Sequence, residues 1–111
     1  MTFINKKPPV FLRVSKNQFN TIISILKNNE KIEISEISDW SKRLLDKLLK
    51  YSVPHNDDNI EYINIGLYIK EAQEMINQFL IFNSNEVSDK DYYEVLIDLR
   101  EQYLNSKNTN V

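Results

Sequence analysis

The sequence predicts an α+β fold of two strand-helix-helix units, ordered β-α-α-β-α-α, in which four helices cover one face of a small sheet. The first observation is a repeat, since the apolar pattern of residues 10–26 recurs 53 positions later in residues 63–79. Each copy also changes from alternating to helical spacing of its apolar residues, as a strand leading into a helix does. In addition, two of the expected helices follow a serine that has the neighbours typical of an N-cap.

The first unit begins with a strand and a helix. Residues 1–9 contain two prolines and are predicted to be an extended lead-in, because proline fixes its own φ and disfavours helix in the residue before it. A strand follows over residues 10–14. Ser15 and Gln18 have the spacing of a capping box, so we expect a helix to begin immediately after Ser15.

The second helix has the pattern of a wide buried face. Before it, residues 32–34 alternate and predict a short edge strand, and Ser35 or Ser38 is the expected cap. Six apolar residues recur at helical spacing: Ile37, Trp40, Leu44, Leu45, Leu48 and Leu49. Pro54 ends this helix, and residues 54–59 form the clearest loop of the chain.

The second unit repeats the plan with weaker signals. The inward row of its strand is Ile63, Ile65, Leu67 and Ile69. A helix follows from about Lys70 to Phe82, although Tyr68 at the N-cap position cannot cap as a serine does. Ser88 opens the fourth helix, and residues 105–111 are predicted to be a disordered tail. The apolar seam of the fourth helix is Tyr92, Leu96, Leu99 and Tyr103.

Length and composition narrow the class of protein. A chain of 111 residues is long enough for one domain, 1–111, with a modest core. It has no cysteine, which excludes disulfides and thiolate chemistry and fits a reducing cytoplasm. Gly66 is the only glycine, whereas loops that hold phosphate groups need several, so no nucleotide or other cofactor is predicted. No signal peptide or membrane-spanning stretch is predicted, and we expect a cytoplasmic protein.

Two strands alone form too small a sheet to be stable without helices packed on it. Four helices can supply that cover within one chain. The alternative is a homodimer, in which two copies pair edge to edge into a four-stranded sheet and remove each other's exposed edges.

Charge is divided unevenly along the chain. The formal net charge is −2, but residues 1–50 carry ten Lys or Arg and five Asp or Glu, whereas residues 51–111 carry four and eleven. The two halves therefore either pair with each other or offer separate surfaces to outside partners.

Four carboxylates form an acidic stripe on the fourth helix. They recur at i, i+3, i+7 and i+10, and they are Asp91, Glu94, Asp98 and Glu101. Like charges at this spacing disfavour the helix slightly unless a cation offsets them. A solvated surface is the ordinary interpretation, and a surface for a basic partner, such as a nucleic-acid-binding protein, is the functional one.

Two tyrosines are candidates for partner binding for a different reason. Tyr62 and Tyr68 alternate with the inward residues of the second strand and so belong to its outer face. Tyrosine provides a large contact area at low entropic cost.

A small basic patch on the second helix supports an alternative function. Arg43, Lys47 and Lys50 recur at i, i+4 and i+7 and are possible nucleic-acid contacts. Other cations of the same half of the chain would join them: Lys6, Lys7, Arg13 and Lys16. Generic solubility is the ordinary explanation of such a patch, and pairing with the acidic stripe across a dimer is a further alternative.

His55 is the only histidine, and it lies in the predicted loop beside Asp57 and Asp58. A single histidine gives no histidine-rich metal motif, the sequence offers no recognisable Ser-His pair, and turn residues account for the two aspartates. We therefore predict neither a catalytic nor a metal site.

The sequence as a whole predicts a small non-catalytic protein-interaction module. We expect a regulator or inhibitor that binds a larger protein, of the kind carried by phages and other mobile elements. A nucleic-acid-binding transcriptional regulator that uses the basic half is the alternative.

Overall fold

The computed structural model describes residues 10–52, 62–82, 85 and 87–109, with side chains described up to residue 50 in the first range and 105 in the last. The elements follow one another in the predicted order: β1 (Val10–Ser15), α1 (Lys16–Asn29), α2 (Ser35–Ser52), β2 (Tyr62–Leu67), α3 (Ile69–Ile81) and α4 (Asp89–Thr109). The predicted α+β class is confirmed. The lead-in 1–9 and the loop 54–59 lie outside the described residues.

The two strands pair antiparallel over their full length, from Val10 opposite Leu67 to Ser15 opposite Tyr62. Alternation places one row of each strand in the core, and this row is Val10, Leu12, Val14, Ile63, Ile65 and Leu67, all nearly or fully buried. The opposite face is open to solvent, since Phe11 is 61% exposed and Tyr62 is 47% exposed. Among the described residues, helices therefore cover one face of the sheet only.

The predicted helix starts are present as hydrogen bonds. The Gln18 N–H donates to Ser15 Oγ at 3.1 Å and the Ser15 N–H donates to Gln18 Oε1 at 2.8 Å, which completes the capping box. At α4, the Asp91 N–H donates to Ser88 Oγ at 3.2 Å. Each cap satisfies backbone donors that a helix terminus leaves without an intrahelical acceptor.

One hydrophobic core lies between the sheet and all four helices. Its fully enclosed side chains include Ile22, Leu48, Ile65, Phe79 and Leu99. Burying side chains of this size contributes about 1.5–3 kcal/mol each, which is what holds the short strands against the helices.

A buried polar cluster joins three helices inside this core. Asn29 Nδ2 donates to both the backbone oxygen and Oε1 of Gln78, each at 2.8 Å, and Gln78 Nε2 donates to the Ile37 carbonyl at 3.1 Å. The Ser41 hydroxyl donates to the Leu26 carbonyl nearby. These bonds connect the end of α1 to α2 and α3, and buried amides of this kind are tolerated only because they are paired.

The predicted strand over residues 32–34 is wrong. The Ile32 N–H donates to the Asn29 carbonyl, and the Ile34 carbonyl already accepts hydrogen bonds from the first turn of α2. The chain therefore turns directly from one helix into the next, and Ile34, rather than Ser35 or Ser38, occupies the capping position.

The second unit differs from the prediction where β2 leads into α3. Ile69 begins α3 and is 39% exposed, so it does not continue the inward row of β2. Tyr68 makes no side-chain capping bond, as expected, but Glu71 Oε1 accepts the Tyr68 N–H at 2.8 Å.

Helix α4 continues to Thr109, past the start of the predicted tail at residue 105. Residues 105–109 contain neither proline nor glycine, so nothing in the sequence stops the helix there. No helix within the described residues is both long enough and apolar enough to cross a membrane.

Candidate functional site

A polar cleft lies where the outer face of the sheet meets α4. Its volume is about 580 Å³. Its lining residues come from both strands, α1 and α4, and are Arg13, Gln18, Tyr62, Asp98, Glu101, Gln102 and Asn105. The structure thus brings Tyr62 together with two carboxylates of the acidic stripe.

The strand side of the cleft is formed by Arg13 and Tyr62. Both lie on the outer face of the sheet, and the guanidinium carbon of Arg13 is 4.3 Å from the centre of the Tyr62 ring. Such a cation-π contact orients both side chains.

The helix side of the cleft is attached to the strand edge by Gln102. The Arg13 N–H donates to Gln102 Oε1 at 2.7 Å, and Gln102 Nε2 donates to the Arg13 carbonyl at 2.9 Å. The same Nε2 group donates to Asp98 Oδ2 at 2.9 Å. Gln102 therefore fixes α4 against β1 and orients a carboxylate of the cleft wall.

The four residues of the acidic stripe have different surroundings. Asp98 is half-buried and also accepts a hydrogen bond from Gln18 Nε2 at 3.3 Å, so it is part of the cleft wall. Asp91 is half-buried in the first turn of α4, whereas Glu94 and Glu101 are exposed. The exposed pair is the part of the stripe that a partner can reach most easily.

Within the described part of the chain, two ion pairs are present, Lys47–Glu71 and Lys70–Glu74, and neither involves α4. None of the four carboxylates of the acidic stripe is therefore in an ion pair with a described residue, although Arg13 lines the same cleft as Asp98 and Glu101. Lys47–Glu71 does join the basic half of the chain to the acidic half, whereas the acidic stripe is left as a separate surface.

The basic patch of α2 lies elsewhere and is partly engaged within the chain. Lys47 Nζ is 2.6 Å from Glu71 Oε1 and 5.0 Å from the centre of the Tyr68 ring. Arg43 lies over Trp40 at 5.1 Å, and Lys50 is exposed. Tyr68 thus belongs with the basic patch, and it does not share the cleft with Tyr62.

Helix α4 also carries an exposed row that the sequence analysis did not identify. We call it the α4 ridge, and it consists of Tyr93, Ile97, Arg100 and Leu104. Tyr93 is 58% exposed, Ile97 57% and Leu104 51%. In the sequence, the four ridge residues recur at i, i+4, i+7 and i+11. The row was not identified because the seam that contains Tyr92 and Leu99 was enough to explain the apolar residues of α4.

A shallow groove follows this ridge between α3 and α4. It has a volume of about 300 Å³ and is lined by Gln73, Ile76, Arg100, Tyr103 and Leu104. Gln73 Nε2 donates to the Tyr103 hydroxyl at 2.9 Å across it, and Leu80 of α3 is 63% exposed. The surface over the α3–α4 hairpin therefore exposes apolar side chains to solvent, which is unfavourable unless a partner covers them.

Some candidate residues lie outside the described ranges, namely His55, Asp57, Asp58, Lys6 and Lys7. Among the residues that are described, no group of three His, Cys, Asp or Glu side chains is arranged to hold a metal ion.

Comparisons with protein-family models, with curated proteins and with solved structures give no match for this chain.

Proposed function

We propose that this protein acts by binding another protein, as a regulator or inhibitor of a larger partner, and not by catalysis. Its contact surface is the acidic side of α4 together with Tyr62. The observation that carries this proposal is the polar cleft, in which Tyr62 meets Asp98 and Glu101 although Tyr62 and the two carboxylates come from distant parts of the sequence.

Preorganisation of the cleft supports a binding role. Gln18 and Gln102 hold Asp98 by hydrogen bonds, and Arg13 lies over the Tyr62 ring. Side chains that are already ordered in the free protein lose less entropy when a partner binds, so more of the contact energy appears as affinity.

The expected partner is basic. Glu94 and Glu101 are exposed and make no ion pair with described residues, so cationic side chains of a partner would be attracted to them. A nucleic-acid-binding protein offers such a surface, because the groove that receives phosphates is lined with Lys and Arg. An inhibitor of this kind is consistent with an origin in a phage or another mobile element.

Dimerisation is a separate proposal about the sheet. Gln102 already occupies the edge of β1 at Arg13, so a second copy that paired through β1 would have to displace α4. Pairing of two sheets would therefore proceed through β2. Sedimentation velocity over a range of protein concentrations tests whether a dimer forms.

Affinity capture from the source cell's lysate, with and without nuclease, tests the main proposal. We expect one protein to be retained at near-stoichiometric yield after nuclease treatment, and Glu101→Lys to reduce its yield by about tenfold or more. Glu33→Lys is the matched control, because Glu33 is also exposed but lies between α1 and α2. Recovery of nuclease-sensitive nucleic acid alone would instead favour the nucleic-acid-binding regulator and its basic half.

A further inference from the structure

The α4 ridge has the spacing of a helix-packing seam. Its members follow one another at intervals of four, three and four residues, the a/d pattern by which one helix packs along another. The three apolar members are each more than half exposed. Nothing in the described part of the chain packs over this seam.

The ridge is not required for the protein's own core. Leu96 is 7% exposed and Leu99 is 1% exposed, so the side of α4 next to the ridge already provides the contacts that hold the helix against the rest of the protein. A helix that is apolar on two sides is normally buried on both. The exposed ridge of α4 therefore indicates a partner that the described part of the chain does not provide.

The neighbouring charges indicate the chemistry of that partner. Glu94 and Glu101 each follow a ridge residue by one position, which places both carboxylates along the same flank of the seam. Arg100 is a cation within the seam itself. A complementary helix has Lys or Arg along the facing flank and a carboxylate opposite Arg100, and a single polar pair of this kind fixes the register.

A second copy of this chain is a poorer match for the ridge. In an antiparallel two-fold arrangement each flank of a helix meets the same flank of its copy, so Glu94 and Glu101 would face Glu94 and Glu101. In a parallel arrangement the acidic flank would face the side that carries Leu96 and Tyr103, where Leu96 is already buried in the core. Neither arrangement brings opposite charges together.

We propose that the α4 ridge is the docking site for an amphipathic helix of the partner protein, with basic residues beside its apolar face. This inference rests on the proposed function and names the kind of segment that the partner contributes. The groove between α3 and α4 gives the incoming side chains a concave surface, as in other helix-in-groove complexes.

The ridge is tested by measuring how two matched variants bind the protein that the wild-type chain retains after nuclease treatment. Ile97→Asp changes the ridge, and Ile34→Asp is its control, because Ile97 and Ile34 are 57% and 60% exposed. We expect Ile97→Asp to weaken binding by about tenfold or more, as at an interface anchor, and Ile34→Asp to leave it unchanged. Thermal melts of both variants verify that they are folded.

Photo-crosslinking identifies the segment that docks. A photoreactive phenylalanine at Ile97 is expected to crosslink to one partner helix with apolar residues at i, i+3 or i+4 and i+7 and with Lys or Arg beside them. The same group at Lys42, an exposed residue of α2, is expected not to crosslink. A crosslink from Ile97 to an extended or acidic segment would overturn the inference.

The remaining outcomes separate this inference from the proposed function. If Ile97→Asp binds as wild type does while Glu101→Lys does not, the ridge is not the docking site but the proposed function stands. If the wild-type chain is a dimer that Ile97→Asp converts to a monomer, the occupant is a second copy and the inference is overturned. If the wild-type chain retains no protein, both fall.

Discussion

The side-chain amide of Gln102 pairs with the backbone of Arg13 as the peptide group of a neighbouring strand would. Gln102 Oε1 accepts the Arg13 N–H, and Gln102 Nε2 donates to the Arg13 carbonyl. An exposed strand edge can pair with a strand of another molecule. Here the Gln102 amide of α4 occupies the edge hydrogen-bonding groups of Arg13, as a neighbouring strand would. Gln102 and Arg13 both line the polar cleft, so one residue contributes to the edge of the sheet and to the candidate site.

Removal of this amide is expected to destabilise the protein. Gln102→Ala removes two hydrogen bonds to the backbone of Arg13 and one to Asp98, and we expect a loss of about 1–3 kcal/mol in the free energy of unfolding. Urea denaturation measures the loss. Glu94→Ala on the same helix is the control and should change stability by less than about 0.5 kcal/mol. Equal stability of Gln102→Ala and wild type would show that α4 is held by its apolar contacts alone.

The buried pair of Asn29 and Gln78 is expected to be energetically coupled. Asn29→Ala leaves Gln78 Oε1 without its donor, and Gln78→Ala removes that acceptor and the bond to Ile37, so each change should cost about 1–3 kcal/mol. The double variant should cost less than the sum, because both single variants lose the same side-chain bond and the double variant no longer contains the orphaned Gln78 Oε1. A double-mutant cycle by urea denaturation measures the coupling, and strictly additive effects would contradict the contact.

Two positions of α4 that are two residues apart are expected to lose very different amounts of stability on truncation. Leu99 is 1% exposed, so Leu99→Ala should cost about 2–5 kcal/mol by leaving a cavity in the core. Ile97 is 57% exposed, and Ile97→Ala should cost less than about 0.5 kcal/mol. Thermal and urea denaturation of the two variants compare them directly, and a large loss for Ile97→Ala would mean that the ridge belongs to the core.

Alkaline pH is expected to weaken the fold through Tyr92. Burial raises the pKa of the Tyr92 hydroxyl above its ordinary value of 10.0, and neighbouring Tyr93 raises this pKa further. The folded protein therefore holds this proton more tightly than the unfolded chain. This contribution to stability is complete below pH 10.0 and is lost as the pH rises through the folded-state pKa.

The Tyr92→Phe variant tests whether Tyr92 causes the loss of stability at alkaline pH. The variant loses the hydrogen bond from Tyr92 to the Phe79 carbonyl, which costs about 1 kcal/mol at neutral pH, and its stability should fall less steeply above pH 10.0. Tyr62→Phe is the control, because Tyr62 lies on the open face of the sheet. If both variants keep the wild-type slope, other groups cause the alkaline loss.

Sequence reasoning predicted the elements whose signals are local. Ser15 with Gln18, and Ser88 ahead of α4, specify helix starts within four residues, and the structure has both. The predictions for Ile34 and Ile69 were wrong. An apolar residue at either position fits a strand or a helix, and the neighbouring helices determine which conformation forms. Short apolar runs are ambiguous for this reason.

The candidate site was only partly accessible to sequence reasoning. Spacing alone identified the carboxylates of α4, but it could not show that Asp98 is held by Gln18, 80 positions away in the chain. Likewise, the exposure of Ile97 depends on how α4 is rotated against the core. Long-range packing determines both facts, and a helical pattern with apolar residues on two sides does not reveal which side faces inward.

Hydrogen exchange of this chain, free and bound to the protein that it retains after nuclease treatment, locates the contact surface. We expect slower exchange in α4 and at the start of β2 on binding, where Glu101 and Tyr62 lie, and unchanged exchange in α2. Protection confined to α2 around Arg43 and Lys50 would contradict a contact surface on α4 and place it on the basic patch.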